Sequence, residues 1–317
     1  MNNLYFMKSL LLGILLIPIA LLAQHNTEKK IYLDSLWNET KEGSHKYYRI
    51  INSDGTTNER YHIKDYYESG ILQMEGSSKT EDGFGKEGEF IFYYENGNIK
   101  NKTNYYKSRL LGKDDKWYES GLKKSEGEYF ESKDGFSSTY ETKNFWNPEG
   151  KQTVSNGNGY YEDKTEDGFD SGEIKNGLKE GTWTGTYNKK IHYIEEYNKG
   201  EIISGVSKDE HNKEYKYTKL EVRPEPLKGI KDFYKHIGKN FNVPRVYENM
   251  KGKIITTFVI EKDGEIVELK NIKSVFEILD QEAIRVIRSY GKWKPGIQRG
   301  QNVKVLYSIP ILLSGVK

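Results

Sequence analysis

The sequence contains no cysteine, and its 317 residues include only 6 histidines and 4 methionines. Without cysteine the chain has no disulfide, no thiol nucleophile, no cysteine-based zinc site and no lipid-modified cysteine of a lipoprotein. The histidines are scattered, with no pair at the helical spacing of a metal site. No G-x-S-x-G motif and no phosphate-binding glycine loop is present. These absences predict a protein that is not an enzyme and has no cofactor and no metal.

Long hydrophobic runs are also missing. The longest charge-free stretch, Leu10 to Leu22, has 13 residues, whereas a membrane-spanning helix needs about 20. Lys8 precedes this stretch, and Ala23 and a polar segment follow it. The pattern predicts a signal peptide over residues 1–23 that is cleaved after Ala23, and therefore an exported protein. A retained leader would instead act as a membrane anchor.

The net charge of +2 conceals two oppositely charged regions. Residues 24–226 carry −7, and residues 227–317 carry +8. The mean hydropathy of −0.83 excludes a polytopic membrane protein, while an aromatic content of 13% argues against general disorder. The asymmetry indicates two bodies with different partners. Nucleic acid is disfavoured, because no basic cluster alternates with stacking aromatics and the chain is exported.

A degenerate repeat occupies the acidic region. Two aromatic residues, a short polar pair and a glycine recur in YYESGIL, YYENGNI, WYESGLK and FWNPEGK, at residues 66–72, 93–99, 117–123 and 145–151. This phrase describes a strand that enters a tight turn, where glycine adopts a positive φ at little cost. We therefore predict an elongated antiparallel sheet of β-hairpins over residues 24–219.

The repeat resembles the MORN-type repeats found in tandem in bacterial proteins. The best match is GEIKNGLKEGTWTG at residues 172–185. The resemblance implies a β-hairpin array that serves as a scaffold or a partner surface, and it implies no enzyme activity.

One hairpin tip imitates a calcium loop. Asp163, Thr165, Asp167 and Gly168 follow the first half of the twelve-residue pattern, but Ile174 stands where the bidentate glutamate is required. A solvated hairpin tip is therefore the favoured interpretation, and a calcium site is the alternative.

The last ninety residues predict a compact α+β domain. Residues 220–226 contain two prolines and predict an extended linker. Beyond it, apolar residues at helical spacing are followed by two strands around Asp263-Gly264, a helix capped by Asp280, and a final alternating strand over Val303 to Ile311. The predicted fold class is thus mainly β plus α+β, with a hairpin repeat sheet followed by an α-β-β-α-β domain over residues 227–317.

This order of elements, and five short motifs within it, resemble the C-terminal domain of TonB-type energy transducers. The motifs are Gly252 to Ile255, Val259 to Gly264, Leu279 to Ile284, Trp293 to Gly296 and Tyr307 to Ile311. The resemblance implies a periplasmic module that binds an extended segment of an outer-membrane receptor by adding it as a strand. It also links the protein to TonB-type transmembrane transport.

The strand that would offer its edge lies near the carboxyl terminus, because an unpaired strand exposes backbone donors and acceptors. The predicted partner-binding residues are Val303, Lys304, Val305, Leu306, Tyr307, Ser308 and Ile309. Alternatively, the domain's own tail or a second copy in a homodimer covers this strand. For Trp293 and Pro295, a role in the core and in a turn is favoured over partner contact.

Three functions remain open at this point. The first is an exported interaction protein that binds a receptor segment or another envelope protein. The second is a structural envelope scaffold whose terminal domain only dimerises or caps the repeat sheet. The third is a membrane-anchored energy transducer, which requires the leader to be retained.

Overall fold

The computed structural model describes residues 28–53, 60–81, 83, 85–132 and 137–314. The predicted signal peptide, residues 1–23, lies outside these ranges. Within them, no helix has the length and apolar character needed to cross a bilayer. The chain divides into two compact units, Met1–Leu110 and Leu111–Lys317, each with its own contacts.

The first unit is built from antiparallel strands that pair with their neighbours in the sequence. β1 pairs with both β2 and β3, and each strand from β3 to β6 pairs with the next. The strands are β1 (Glu28–Leu33), β2 (Glu39–Thr40), β3 (Tyr47–Ser53), β4 (Tyr61–Tyr67), β5 (Leu72–Ser78), β6 (Lys86–Tyr93) and β7 (Ile99–Tyr106).

The second unit continues the same hairpin pattern in its first half, and every consecutive pair from β8 to β17 is antiparallel. The strands are β8 (Arg109–Trp117), β9 (Lys123–Glu131), β10 (Ser138–Trp146), β11 (Gln152–Ser155), β12 (Asn158–Thr165), β13 (Gly168–Lys175), β14 (Leu178–Tyr187), β15 (Ile191–Asn198), β16 (Glu201–Lys208) and β17 (Glu214–Tyr217).

The repeated aromatic-glycine phrase forms hairpin turns, as the sequence predicts. At the first copy, the Tyr67 N–H donates to the Ile71 carbonyl and the Gly70 N–H donates to the Tyr67 carbonyl, both at 2.9 Å. Gly70 has a φ of +84°, and the glycines of the other three copies, Gly97, Gly121 and Gly150, are also left-handed. The antiparallel hairpin fold is therefore confirmed, while the MORN resemblance stays a prediction.

Glycines within the strands make room for neighbouring aromatic rings. Gly172 on β13 lies against the buried Trp183 of β14, and a Cβ at residue 172 would overlap its ring. Gly205 on β16 accommodates the Tyr217 ring in the same way. Each of these aromatic rings therefore covers the backbone of the adjacent strand, and Trp183 belongs to a small buried cluster with Phe145, Val154, Ile174 and Tyr197.

The second half of the second unit is the α+β domain. It contains β18 (Glu221–Val222), β19 (Glu225–Pro226), α1 (Ile230–Asn240), the 3₁₀ turn η1 (Arg245–Tyr247), β20 (Lys251–Ile260), β21 (Ile266–Lys273), α2 (Glu277–Arg288), β22 (Trp293–Lys294), β23 (Gly296–Gln298), β24 (Gln301–Val303) and β25 (Val305–Ser314). The main sheet has the order β21-β20-β25. The predicted order helix, strand, strand, helix, strand is present, with short additional strands.

The core of this domain lies between the helices and the main sheet. Phe233 and Ile237 of α1 meet Phe258 of β20, and Trp293 packs edge-on against both phenylalanine rings. Trp293 is therefore a core residue, as predicted. The turn predicted at Asp263-Gly264 is also present, with Gly264 at a φ of +84°.

The predicted cap of the second helix is wrong. α2 begins at Glu277, with Phe276 as the N-cap residue and no side-chain cap. Asp280 lies in the first turn and accepts a hydrogen bond from the Ser274 hydroxyl. An acidic residue in the first turn interacts favourably with the helix dipole. Asp280 therefore stabilises the start of α2 from within its first turn, and not as its cap.

The predicted linker, residues 220–226, is extended and its backbone is paired. β18 pairs with β23, where Val222 lies opposite Ile297, and β19 pairs with β22, where Pro226 lies opposite Trp293. This segment therefore adds two strands to the α+β domain.

Candidate interaction site

β25 is the edge strand of the three-stranded sheet. It pairs along its whole length with β20, from Val305 opposite Ile260 to Ser314 opposite Lys251. No strand of the described residues pairs with its other side. One row of backbone donors and acceptors is therefore open for pairing with another chain.

Pro310 indicates which backbone groups point to the open side. Proline lacks an N–H and is tolerated in an edge strand where that N–H would face away from the ladder. Hydrogen-bonding directions alternate along a strand. The N–H groups of Leu306, Ser308 and Leu312 therefore also point outward, whereas those of Tyr307 and Ile309 are directed toward β20.

The side chains of β25 alternate in the same way. Ile309 and Ile311 are buried in the core, while Leu306 and Leu312 are exposed on the outer face of the sheet, at 68% and 72%. The same strand thus supplies side chains to the core, side chains to the outer face of the sheet and backbone groups to the open edge.

A groove of about 390 Å³ adjoins the second half of this strand. Five consecutive β25 residues, 310–314, contribute to it. Since residues of both side-chain directions line it and β20 occupies the other edge, the groove runs along the open edge. Its opposite wall comes from α1, from η1 and from the segments on either side of η1, and it is mostly apolar: Tyr234, Ile237, Gly238, Phe241, Val243, Tyr247, Glu248 and Met250.

The structure divides the predicted partner-binding residues into two groups. Val303 lies in β24, where it is opposite Gly296 of β23, and Lys304 lies between the strands with its Nζ 2.5 Å from Glu261 Oε1. Val305, Leu306, Tyr307, Ser308 and Ile309 form the first half of β25. The predicted strand ends at Ile311, so sequence reasoning missed Leu312 to Ser314, where two consecutive leucines interrupt the alternation of polar and apolar residues.

A second cluster joins the α+β domain to the hairpins of the same unit. The turn between β23 and β24 has two left-handed residues, Arg299 with a φ of +47° and Gly300 with +79°. The Arg299 Nε donates to Glu195 Oε1 at 2.8 Å, and its guanidinium carbon lies 4.0 Å from the centre of the Tyr193 ring. The turn is thus seated on β15 through an ion pair and a cation–π contact.

Glu195 is completely buried, so neighbouring side chains and not water supply the hydrogen bonds to its carboxylate oxygens. Besides Arg299, the Tyr197 and Tyr217 hydroxyls donate to its carboxylate at 2.9 and 2.7 Å. Burial, and next the Glu195 carboxylate, raise the pKa of both tyrosines. Burial opposes the charge of Arg299, but the Glu195 carboxylate raises the pKa of this arginine.

Further hydrogen bonds support the same joint, which is the contact of the turn at Arg299 and Gly300 with the hairpin strands. The Ser207 hydroxyl of β16 donates to the Arg299 carbonyl at 2.7 Å, and the Arg299 N–H donates to the Leu220 carbonyl at 2.7 Å. Gln301 Nε2 donates to the Ser207 hydroxyl at 3.0 Å. The turn is therefore fixed by side-chain and backbone contacts to three successive parts of the chain.

The calcium-like residues form a hairpin tip, in agreement with the favoured interpretation. β12 ends at Thr165 and β13 begins at Gly168. Asp163 forms an ion pair with Lys124 at 2.9 Å. Across the described ranges, no cluster of three or more histidine or carboxylate side chains is arranged to hold a metal ion.

The α+β domain corresponds to a known family of bacterial domains. Residues 246–312 match the family model of the Gram-negative bacterial TonB protein C-terminal domain. The resemblance seen in the sequence is thereby confirmed for this part of the chain. No curated protein and no solved structure matches the chain significantly.

The family match has two consequences for function. TonB C-terminal domains act in the cell envelope, in interactions related to transport, so this chain carries a module of that kind. The family is also non-catalytic.

Proposed function

We propose that the protein is exported to the periplasm and that its α+β domain binds an extended segment of an outer-membrane receptor by strand addition. The observation that carries this proposal is the open side of β25, Val305 to Ser314. An added strand obtains affinity from main-chain hydrogen bonds and specificity from pockets for alternate side chains.

The groove supplies such a pocket. An added strand beside residues 310–314 would turn every second side chain toward the wall formed by Phe241, Val243 and Tyr247. This arrangement favours a partner segment with apolar residues at alternate positions. Pairing in the Val305 to Ile309 half would supply main-chain bonds through the outward N–H groups of Leu306 and Ser308.

The test is a proline substitution at an outward position. Ser308→Pro removes one outward N–H and leaves the β20 ladder intact, so folding should be retained and capture of receptor segments should be lost. Ser308→Ala is the matched control and should bind as the unmodified protein does. The probe is a set of synthetic peptides with the sequences of extended segments of outer-membrane receptors.

A normal melting temperature for Ser308→Pro together with undiminished peptide capture would contradict strand addition at this edge. Val305→Pro is a less useful variant, because residue 305 shares the inward register of Tyr307 and its proline would disturb the β20 ladder itself.

A structural scaffold is the second candidate, and the Arg299 joint favours it specifically. The turn of the α+β domain covers the buried Glu195 of the hairpin region, as a capping module would. If Arg299→Ala released the hairpin region to aggregate while peptide capture was absent in every variant, capping would be the better description of the domain.

A further inference from the structure

The groove beside β25 is lined by one charged side chain. Of the residues that form its two walls, only Glu248 carries a charge, and no lysine or arginine contributes to the lining among the described residues. Glu248 directly follows η1 and is exposed to solvent. Its carboxylate therefore stands at the rim of a groove that is otherwise uncharged and mostly apolar.

Most carboxylates of this domain are bound by its own side chains. Residues 227–317 contain nine, and Glu248 and Glu268 are the two that form no side-chain hydrogen bond or ion pair within the described part of the chain. Glu268 lies on β21, on the far side of β20 from the groove. The seven bound carboxylates are Asp232 with Tyr290, Asp263 and Glu265 with Lys292, Glu261 with Lys304, Glu277 with Gln281, Asp280 with Ser274 and Glu282 with Arg285.

A strand that fills the groove would remove water from one side of the Glu248 carboxylate. A carboxylate that loses water costs free energy unless a hydrogen-bond donor replaces it. Lysine and arginine supply such donors with a positive charge, and their aliphatic stems can lie along the apolar wall while the charged group reaches the rim. A carboxylate of the partner at the same place would be repelled, so acidic segments would be disfavoured.

We propose that Glu248 selects partner segments that carry a lysine or an arginine next to the apolar residues held by the groove. This inference rests on the proposed strand addition at β25 and assigns a charge to the added strand. The overall charge of the domain acts in the opposite sense, because residues 227–317 carry +8 and attract acidic segments. At physiological ionic strength, exposed charges more than about 8 Å apart are largely screened, so the contact at Glu248 decides the preference.

The experiment measures the affinity of the full chain for three synthetic peptides. Each consists of alternating valine and threonine with blocked termini, and its first and last residues are both lysine, both glutamine or both glutamate. The two ends are identical because an added strand can run in either direction along β25. The lysine peptide should bind about two- to fivefold more tightly than the glutamine peptide, as expected for an exposed ion pair, and the glutamate peptide should bind most weakly.

Substitutions at Glu248 should change the order of the three affinities. Glu248→Gln should abolish the preference for lysine over glutamine, and Glu248→Lys should make the glutamate peptide the tightest binder. Glu268→Gln is the matched control, because it also removes a carboxylate without an ion pair and gives the same net charge as Glu248→Gln. It should keep the preference for lysine. An equal loss in both variants, or a lysine preference that persists in Glu248→Gln, would overturn the proposal.

The glutamine peptide separates this inference from the strand addition on which it rests. It should bind the unmodified chain, and Ser308→Pro should abolish that binding. If both results are obtained but the three peptides bind equally well, selection by Glu248 is wrong and strand addition stands. If the glutamate peptide binds best, the overall charge prevails and selection by Glu248 is again wrong. If none of the three peptides binds the unmodified chain, both proposals fail.

Discussion

Arg299 and Glu195 form an ion pair of 2.8 Å although they are separated by 104 positions in the chain. The arginine side chain is 15% exposed and the glutamate side chain is completely buried. In the first unit, Arg49 contacts the buried Asp65 in a similar way, with Nε and Nη2 at 2.7 and 2.8 Å from its two oxygens. A buried carboxylate with an arginine partner thus recurs, and at Glu195 the α+β domain supplies the arginine.

Arg299→Ala should destabilise the second unit. Removal of one member of a buried pair leaves the other charge without compensation, at a cost of about 3–5 kcal/mol. Arg288→Ala is the control, since Arg288 is exposed at the end of α2, and it should change the free energy of unfolding by less than about 0.5 kcal/mol. Denaturant unfolding monitored by tryptophan fluorescence measures both.

A double substitution tests the pairing itself. If the two groups interact, Glu195→Gln/Arg299→Gln should cost less than the sum of the two single substitutions. Strict additivity would show that Arg299 stabilises the joint only through its contact with Tyr193 and its backbone bonds.

Gly172→Ala should destabilise the hairpin region by about 1–3 kcal/mol, because a Cβ there overlaps the Trp183 ring. Gly238→Ala on α1 provides the opposite case, since no atom lies within 4 Å of its Cβ position. Alanine has the higher helix propensity, so this variant should gain about 0.5–1 kcal/mol. Equal melting temperatures for the two variants would be inconsistent with the ring packing described here.

Stability should fall in alkaline solution. The pKa values of Tyr197 and Tyr217 are raised in the folded protein above the ordinary 10.0. The unfolded chain therefore loses these protons first, so the contribution of the two tyrosines to the free energy of unfolding is constant below about pH 10 and decreases above it. The decrease should be shallower in Tyr217→Phe. The test is the denaturant concentration at the unfolding midpoint, measured as a function of pH. An increase in this concentration above pH 10 would contradict the prediction.

Calcium should not stabilise the hairpin tip at Asp163 to Gly168. Lys124 already neutralises Asp163, and Ile174 supplies no ligand where a calcium loop needs its glutamate. Millimolar calcium should leave the melting temperature unchanged. A calcium-dependent rise that Asp167→Ala abolishes would establish the site.

The sequence predicts the hairpin array and the main elements of the α+β domain because their signals are local. A glycine that follows two aromatic residues and a short polar segment marks four of the turns, and Asp263-Gly264 between β-branched runs marks the hairpin of β20 and β21. The final strand is foreseen for the same reason as far as Ile311, since Val305, Tyr307, Ile309 and Ile311 occupy every second position along it.

The joint at Arg299 could not be predicted in this way. The Arg-Gly pair carries a signal for a turn, but no periodicity connects it with a glutamate on β15. The interruption between β24 and β25 at Lys304 is likewise determined by tertiary pairing, because β24 pairs with β23 whereas β25 pairs with β20. Asp280 was misassigned because an acidic residue fits both a cap and a first helical turn.

The pairing of residues 221–226 determines how this module can be excised from the chain. A fragment that begins at Leu227, where the charge pattern changes, would lack the strands opposite Trp293 and Ile297 and would lose the pairing that these strands make with β22 and β23. A shortened version intended for crystallisation or NMR should therefore begin before Glu221. Proteolytic trimming should likewise stop on the amino-terminal side of that residue.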